Sequence, residues 1–119
     1  MIRPALVFAL IPLAAHAADD GWPLTLVDGV APGYTATLAL DQPGKVYGRA
    51  PCNRYSGPRR GDLPVFRVEA VMSTKMACPE MAAEQAFFDL LTLMEHAEQG
   101  DGVLTLTGGG HEMVFSRQP

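Results

Sequence analysis

The sequence contains few of the residues on which common catalytic and metal sites depend. Of its 119 residues, two are cysteine, three are histidine and one is tryptophan, and 18% are charged. The cysteines and histidines have neither the C-x-x-C nor the H-x-x-x-H spacing of a zinc site. The chain also has no G-x-S-x-G, P-loop or G-x-G-x-x-G motif. We therefore predict a protein that is not an enzyme, with no catalytic residue, metal ligand or cofactor.

Basic charge and long apolar runs are scarce as well. Nine Lys and Arg residues stand against thirteen Asp and Glu residues, for a net charge of -4. Nucleic-acid binders obtain much of their affinity by neutralising phosphates with basic side chains, so we expect no nucleic-acid partner. The apolar run from Ala5 to Ala15 contains Pro12 and is about half the roughly 20 residues that a membrane-spanning helix needs. We expect no transmembrane segment.

The first residues have the order of a secretory signal. A positive start at Arg3 precedes an apolar stretch, and Ala15-His16-Ala17 is the small-x-small pattern that signal peptidase recognises. We predict a signal peptide over residues 1–17, cleavage after Ala17, and a mature domain over residues 18–119 that is periplasmic or secreted. A buried N-terminal strand or helix is the structural alternative.

Short apolar runs separated by Gly and Pro turns predict an antiparallel sheet. The predicted strands are 22–27, 34–40, 45–49, 65–72, 103–107 and 111–116, with a type II turn at Pro43-Gly44, a loop over 57–62 and a hairpin loop over 108–110. Phe66, Val68, Ala70 and Met72 are predicted to share one face of their strand.

One segment predicts a long helix. Pro79 suits its first position, and Gly100 stands where it would end. An apolar stripe recurs at spacings of three and four: Ala83, Phe87, Leu90, Met94 and Ala97. The predicted fold is therefore α+β, a small single domain in which an antiparallel β-sheet, partly barrel-like, packs against one main α-helix. We expect a monomer.

The large apolar side chains have two interpretations. They can fill the core, which we favour in so small a domain, or line a ligand pocket between helix and sheet. The set comprises Trp22, Tyr34, Phe66, Phe87, Phe88 and Met94.

The basic residues are concentrated in the middle of the chain. Six lie between positions 45 and 67 with a single acid, Asp62: Lys45, Arg49, Arg54, Arg59, Arg60 and Arg67. In one interpretation these residues are solvated or paired with acids elsewhere in the fold. Such acids on the predicted helix are Glu80, Glu84, Asp89, Glu95 and Glu98. In the other interpretation the basic residues contact an anionic ligand or an acidic protein surface.

Cys52 and Cys78 are the two cysteines of a chain that we expect to be exported, where disulfides persist. Pairing them would stabilise the fold by about 3.5 kcal/mol in the chain-entropy model. Two separate buried thiols are the alternative. A thiol-dependent enzyme would need one of them free beside His96, late in the predicted helix, or His111, at the start of the last strand.

Two segments resemble the signatures of the META domain family, to which the heat-shock protein HslJ belongs. Residues 48–57, GRAPCNRYSG, resemble its G-x-x-x-C-N-R-[FY]-S-G motif, and residues 74–78, TKMAC, resemble its T-[RK]-M-x-C motif. Pro51 stands where the family often has Gly. The resemblance covers residues 22–117, and the residues that carry it are Gly48, Cys52, Asn53, Arg54, Tyr55, Gly57, Thr74, Lys75, Met76, Cys78 and Pro79.

The resemblance implies an exported envelope module with an antiparallel sheet, one helix and no agreed enzymatic activity. We expect Asn53 to bond neighbouring backbone, Gly57 to permit a turn, Thr74 to bond amides at the helix start, and a Cys52–Cys78 disulfide to join the strand region to that start. The hypothesis is a non-enzymatic binding or stress-protective module that contacts an envelope protein or anionic ligand through Arg49, Arg54, Arg59 and Arg60. The alternative is a small periplasmic inhibitor of a hydrolase, a protease or a lysozyme.

Overall fold

The structure is a computed structural model that describes residues 21–117, and the predicted signal peptide and its cleavage site lie outside this range. The described part contains nine strands and one helix. They are β1 Trp22–Val27, β2 Thr37–Leu38, β3 Lys45–Arg49, β4 Arg54–Arg60, β5 Arg67–Val68, β6 Met72–Ser73, α1 Met81–Leu93, β7 His96–Gly100, β8 Val103–Gly108 and β9 His111–Ser116. Within residues 21–117, no helix has the length and apolar character needed to span a membrane.

The strands form two antiparallel sheets. One has the order β2-β1-β9-β8-β7, and the other has the order β3-β4-β5, with β6 also paired to β4. The sheets meet at one edge through paired hydrogen bonds between Ala39 and Tyr47, and at the other where Ala97 N donates to Pro64 O at 2.8 Å. The combined sheet therefore curls into a half-barrel, and the predicted α+β class and partly barrel-like form are confirmed.

The core lies between the curled sheet and α1. Phe66, Phe87 and Met94 are fully buried, as are Phe115 and Leu104 from the last hairpin. The predicted apolar set fills this core, with Trp22 buried and Tyr34 and Phe88 half-buried at its margin. The packing interpretation is the one that the structure supports.

The C-terminal hairpin and the turn at Pro43-Gly44 confirm their predictions. Strands β8 and β9 pair in register from Val103↔Ser116 to Gly108↔His111, so Gly109 and Gly110 alone form the turn, both with positive φ. Lys45 N donates to Gln42 O at 3.2 Å around Pro43-Gly44, and Gly44 has φ +72°. A type II turn requires this left-handed position, which glycine adopts without steric cost.

The strand predicted over 34–40 is much shorter than expected. Only Thr37–Leu38 pairs with β1, because the chain changes partner at the next residue: Ala39 bonds to Tyr47 of β3 instead. At this corner the consecutive residues Leu38 and Ala39 are both buried.

The loop predicted over 57–62 is largely wrong. Residues 57–60 belong to β4, which pairs with β3 from Arg49↔Arg54 to Lys45↔Pro58. This ladder overrides the Gly-Pro turn signal, and Pro58, which has no N–H to contribute, lies exposed at its end. The turn comes later, where Val65 N donates to Asp62 O at 2.8 Å across the cis Leu63-Pro64 peptide bond.

The strand predicted over 65–72 is split into β5 and β6. Phe66 and Val68 are buried as expected, but Ala70 and Met72 are exposed. The carbonyl of Ala70 lies against Gly57 so closely that a Cβ there would overlap it. Between its two short pairings the segment has three residues, 69–71, opposite two residues of β4, 57 and 58, so one extra residue interrupts the ladder.

The helix is shorter than predicted. It begins at Met81 rather than Pro79 and ends at Leu93, and residues 96–100 form β7. Met94 and Ala97 are buried as the stripe required, but Ala97 reaches the core from a strand. The missed signal is Asp101-Gly102, a typical type I′ hairpin pair in which both residues have positive φ, 53° and 76°.

Candidate functional site

The two cysteines form a disulfide with a Cα–Cα distance of 5.8 Å. It joins the turn between β3 and β4 to the segment that leads into α1, as the family resemblance implied. No free cysteine is present among the described residues. The interpretation as two separate thiols, and with it the thiol enzyme, does not apply to this form of the protein.

Glu84 is the buried carboxylate beside this disulfide. It lies in the first turn of α1 and is 3% exposed. Its Oε1 accepts hydrogen bonds from the backbone N–H groups of Cys52 at 2.8 Å and Asn53 at 2.9 Å, and its Oε2 accepts one from Asn53 Nδ2 at 2.8 Å. A buried charge is tolerated only where its lone pairs are satisfied, and three donors provide this here.

Asn53 links the same carboxylate to the second family motif. Its Oδ1 accepts hydrogen bonds from Thr74 Oγ1 and from Met76 N, both at 2.8 Å. Its Nδ2 donates to Met76 O at 3.0 Å as well as to Glu84. Asn53 therefore does not bond the backbone of its sequence neighbours, as we expected, but the backbone of Met76, 23 residues away. The side chain thus holds together the β3–β4 turn, the segment 74–76 and the helix.

Thr74 and Gly57 have different roles from those expected. Thr74 does not bond to the helix start, because its hydroxyl donates to Asn53 and accepts a hydrogen bond from Arg54 N at 3.3 Å. Gly57 lies within β4 and is required for the close approach of Ala70 rather than for a turn. Gly48 has a similar role, because a Cβ there would overlap the carbonyl oxygen of Thr37.

Tyr55 is the aromatic residue of the first motif and is buried. Its hydroxyl donates to Thr37 O at 2.6 Å, and its ring packs edge-on against Phe87 and Phe88 at centroid distances of 5.5 and 5.6 Å. Burial raises the pKa of the Tyr55 hydroxyl well above its ordinary value of 10.0. The remaining residues of the second motif, Lys75, Met76 and Pro79, are exposed.

A groove of about 440 Å³ runs between α1 and the segment 69–77. Met76 and Met81 line it and are 65% and 43% exposed, and Phe88 lines it as well. Lys75, Glu69 and Asp89 add charges of both signs. A smaller cavity of about 250 Å³ lies beside Trp22, with the Arg117 guanidinium 4.9 Å from the centre of the indole ring.

Strand alternation gathers most of the basic residues on one face of the second sheet, the outer basic face. Residues directly opposite on antiparallel strands point to the same side. Arg49 is opposite Arg54 and Arg60 is opposite Arg67, while Arg54 and Arg60 share a side because they are an even number of residues apart on β4. The members of the outer basic face are Lys45, Arg49, Arg54, Arg60 and Arg67.

Arg59 is not part of this face. It lies between Pro58 and Arg60 on β4, opposite the buried Val68, and is half-buried. Arg60 and Arg67 of the outer basic face have carboxylate partners: Arg60 Nε is 3.5 Å from Glu69 Oε1, and Arg67 Nη2 is 3.9 Å from Glu95 Oε2. The pairing interpretation of the basic segment is therefore correct for these two arginines.

The two histidines of the described range lie on the surface. His96, predicted on the helix, is instead in β7, with Nε2 3.2 Å from Glu98 Oε2. His111 begins β9 as expected, and its Nδ1 lies 2.8 Å from Asp28 Oδ2. Two hydrogen bonds lower the pKa of Asp28 below its ordinary value of 3.8. The bond with His111 has the larger effect, and the bond from Glu112 N has the smaller one.

Together these features define a small antiparallel α+β domain whose shared motifs form a disulfide-linked, buried polar network. The sequence profile described as META domain matches residues 15–119. The chain belongs to the META domain family. No curated protein matches it.

Solved structures show the same fold. An NMR structure of a protein from Burkholderia xenovorans is 24% identical, with a TM-score of 0.62 and coverage of 99% of both chains. Another NMR structure is 16% identical, with a TM-score of 0.56 and coverage of 80% of this chain and 86% of the other. A crystal structure of a DUF4847 family protein from Bacteroides vulgatus is 19% identical, with a TM-score of 0.51 and coverage of 72% and 60%. At these identities the likeness concerns the fold alone.

Proposed function

We propose that this META domain is a non-enzymatic, exported envelope module that acts by binding, and that the outer basic face contacts an anionic partner. The supporting observation is the gathering of five cations on one side of the second sheet, in a chain whose net charge is -4. The disulfide suits an oxidising compartment.

The buried polar network supports a binding role rather than a chemical one. The carboxylate of Glu84 and the amide of Asn53 are engaged in hydrogen bonds that hold three segments together. Groups used in this way orient the backbone, and both side chains are buried. The exposed chemistry is that of the outer basic face, which suits electrostatic recognition.

A charge reversal on the outer basic face tests the proposal. A Lys or Arg near an anionic surface contributes about 1 kcal/mol, so the reversal Arg54→Glu changes the binding free energy by about 2 kcal/mol, or about 30-fold in affinity. Lys75→Glu is the matched control, because Lys75 is also exposed but lines the groove beside α1. Binding is measured by co-sedimentation of the purified chain with the cell-envelope fraction over a range of salt concentrations.

The expected result is salt-sensitive binding that Arg54→Glu weakens and Lys75→Glu leaves unchanged. Binding that is insensitive to salt, or equally weakened by both substitutions, contradicts the outer basic face as the recognition surface. The alternative is a hydrolase inhibitor, and stoichiometric inhibition of a protease or lysozyme by the chain would favour it.

A further inference from the structure

We propose that reduction of the Cys52–Cys78 disulfide converts this corner of the protein into a zinc site formed by Cys52, Cys78 and Glu80. One sulfur from each cysteine and a carboxylate oxygen of Glu80 all lie within 4.8 Å of one another. Zinc–sulfur bonds of about 2.3 Å in a tetrahedral site place two sulfurs about 3.8 Å apart, so the sulfurs that the S–S bond now joins separate to that distance when zinc binds. Three protein ligands leave the fourth position for water.

The site is held in place by contacts other than the disulfide. Glu84 fixes the backbone N–H of Cys52, and Asn53 binds both the N–H and the carbonyl of Met76, two residues before Cys78. These hydrogen bonds join the two cysteine-bearing segments independently of the S–S bond. The two thiols therefore remain neighbours after reduction, and the ligands are largely preorganised.

The local backbone also favours sulfur as a metal ligand. Glu80 N donates to Cys78 Sγ at 3.4 Å, and Cys78 Sγ is 3.5 Å from Glu80 Oε1. An N–H directed at the sulfur stabilises the negative charge of a thiolate, and an outer hydrogen bond of this kind orients a metal ligand. Thiolates select Zn²⁺ over the hard cations Mg²⁺ and Ca²⁺, which prefer oxygen.

The chemistry balances in two steps. A dithiol reductant supplies two electrons and two protons, the S–S bond breaks to give the thiols of Cys52 and Cys78, and the reductant becomes a disulfide. Zn²⁺ then replaces the two thiol protons, which pass to solvent, while the Glu80 carboxylate adds as the third protein ligand. Zinc binding is thus restricted to the reduced state.

The test uses the full chain, reduced with a phosphine and titrated with Zn²⁺ against a chromophoric chelator. In the reduction the S–S bond accepts two electrons from phosphorus, and water supplies the oxygen of the phosphine oxide and the two thiol protons. The reduced chain binds about one equivalent, and the oxidised chain binds none. Glu80→Gln weakens binding by at least about tenfold, since loss of even an outer-shell partner has an effect of this size. Glu112→Gln, which changes an exposed carboxylate on β9, leaves the affinity unchanged. With Co²⁺ as probe, the reduced chain shows thiolate-to-cobalt charge-transfer absorption.

The far-ultraviolet circular dichroism of the reduced chain is recorded alongside. A reduced chain that loses its fold overturns the proposal, because the Asn53 and Glu84 contacts would then not hold the ligands together. A folded reduced chain that binds no Zn²⁺ also overturns it, as does a Glu80→Gln variant that binds as tightly as the parent. The double variant Cys52→Ser/Cys78→Ser is expected to bind no zinc, and the result with Glu80→Gln remains decisive if that double variant does not fold.

Discussion

Replacing Glu84 by glutamine tests the role of the buried network most directly. The single oxygen of the new amide can still accept the N–H groups of Cys52 and Asn53, which bond to Glu84 Oε1 in the parent at 2.8 and 2.9 Å. An NH₂ group takes the place of Oε2, which in the parent accepts a hydrogen bond from Asn53 Nδ2 at 2.8 Å. This NH₂ group faces Asn53 Nδ2, which is itself a donor. Two donors then face each other in a site that is shielded from water.

The size of the effect follows from the lost bond. A hydrogen bond to a charged group contributes about 1.5–3 kcal/mol, and a buried donor left unsatisfied adds a desolvation cost. We expect Glu84→Gln to lower the free energy of unfolding by about 2–4 kcal/mol. This is a large part of the roughly 5–15 kcal/mol that stabilises a typical domain.

The measurement is urea unfolding at neutral pH with the disulfide intact. Glu80→Gln makes the same chemical change at an exposed carboxylate and is expected to stay within about 0.5 kcal/mol of the parent. Asn53→Asp provides the complementary variant, since the new carboxylate at position 53 and the carboxylate of Glu84 would repel each other. In the double variant Asn53→Asp/Glu84→Gln a donor again faces an acceptor, so the two substitutions should show a favourable coupling energy of about 1 kcal/mol or more.

Two results would refute this reasoning. One is a Glu84→Gln variant as stable as the Glu80→Gln control. The other is a double variant whose loss equals the sum of the single losses, because the hydrogen bond between the two side chains would then contribute nothing measurable.

Two further predictions concern Gly48 and Asp28. Gly48→Ala should destabilise the fold by about 1–3 kcal/mol, since the added Cβ would overlap a carbonyl oxygen of β2. Gly100→Ala is the control and should have little effect, because no atom lies within 4 Å of the added Cβ. Equal thermal unfolding midpoints of the two variants would contradict this prediction. Because the hydrogen bond from His111 lowers the pKa of Asp28 below 3.8, the stabilisation from its ionised form is present above that value and is lost as the pH falls through the lowered pKa. The stability difference between the parent and Asp28→Asn should therefore shrink in acid, and a difference that is constant over the acid range of thermal unfolding curves would count against it.

Local turn chemistry explains which elements the sequence predicted well. Strand β1 ends at Val27 as predicted, just before Asp28 and Gly29, which both have positive φ, and the β8–β9 hairpin turns at two glycines of the predicted three-glycine loop. In each case residues adjacent in sequence determine the conformation, because their positive φ angles leave few alternatives.

The predictions that failed concern segments whose structure depends on pairing with a strand. Residues 57–60 contain a Gly-Pro pair and yet form a strand, because β3 pairs with residues 57 and 58 and β5 pairs with residues 59 and 60. Residues 96–100 continue the apolar spacing of the helix and yet form β7, because β8 pairs with them from His96↔Thr107 to Gly100↔Val103. Helical and strand periodicity both bury Ala97, so the local pattern could not distinguish the two.

The candidate site was likewise predicted only in part. The family motifs implied a disulfide between Cys52 and Cys78, and this disulfide is present. The importance of Glu84 was missed, because an acid in the first turn of a helix is usually explained by the helix dipole alone. Its spacing from Asn53 gave no signal.

Composition, short-range conformational preference and two local motifs were enough to predict the α+β class, most of the apolar core, the turns at 43–44 and 109–110, and the family. The folded chain alone shows that Glu84 accepts three hydrogen bonds, that Arg59 is separated from the other arginines, and that Glu80 lies beside both cysteine sulfurs. These arrangements depend on contacts between segments far apart in the chain. Such contacts are set by strand register and helix packing, which no local pattern encodes.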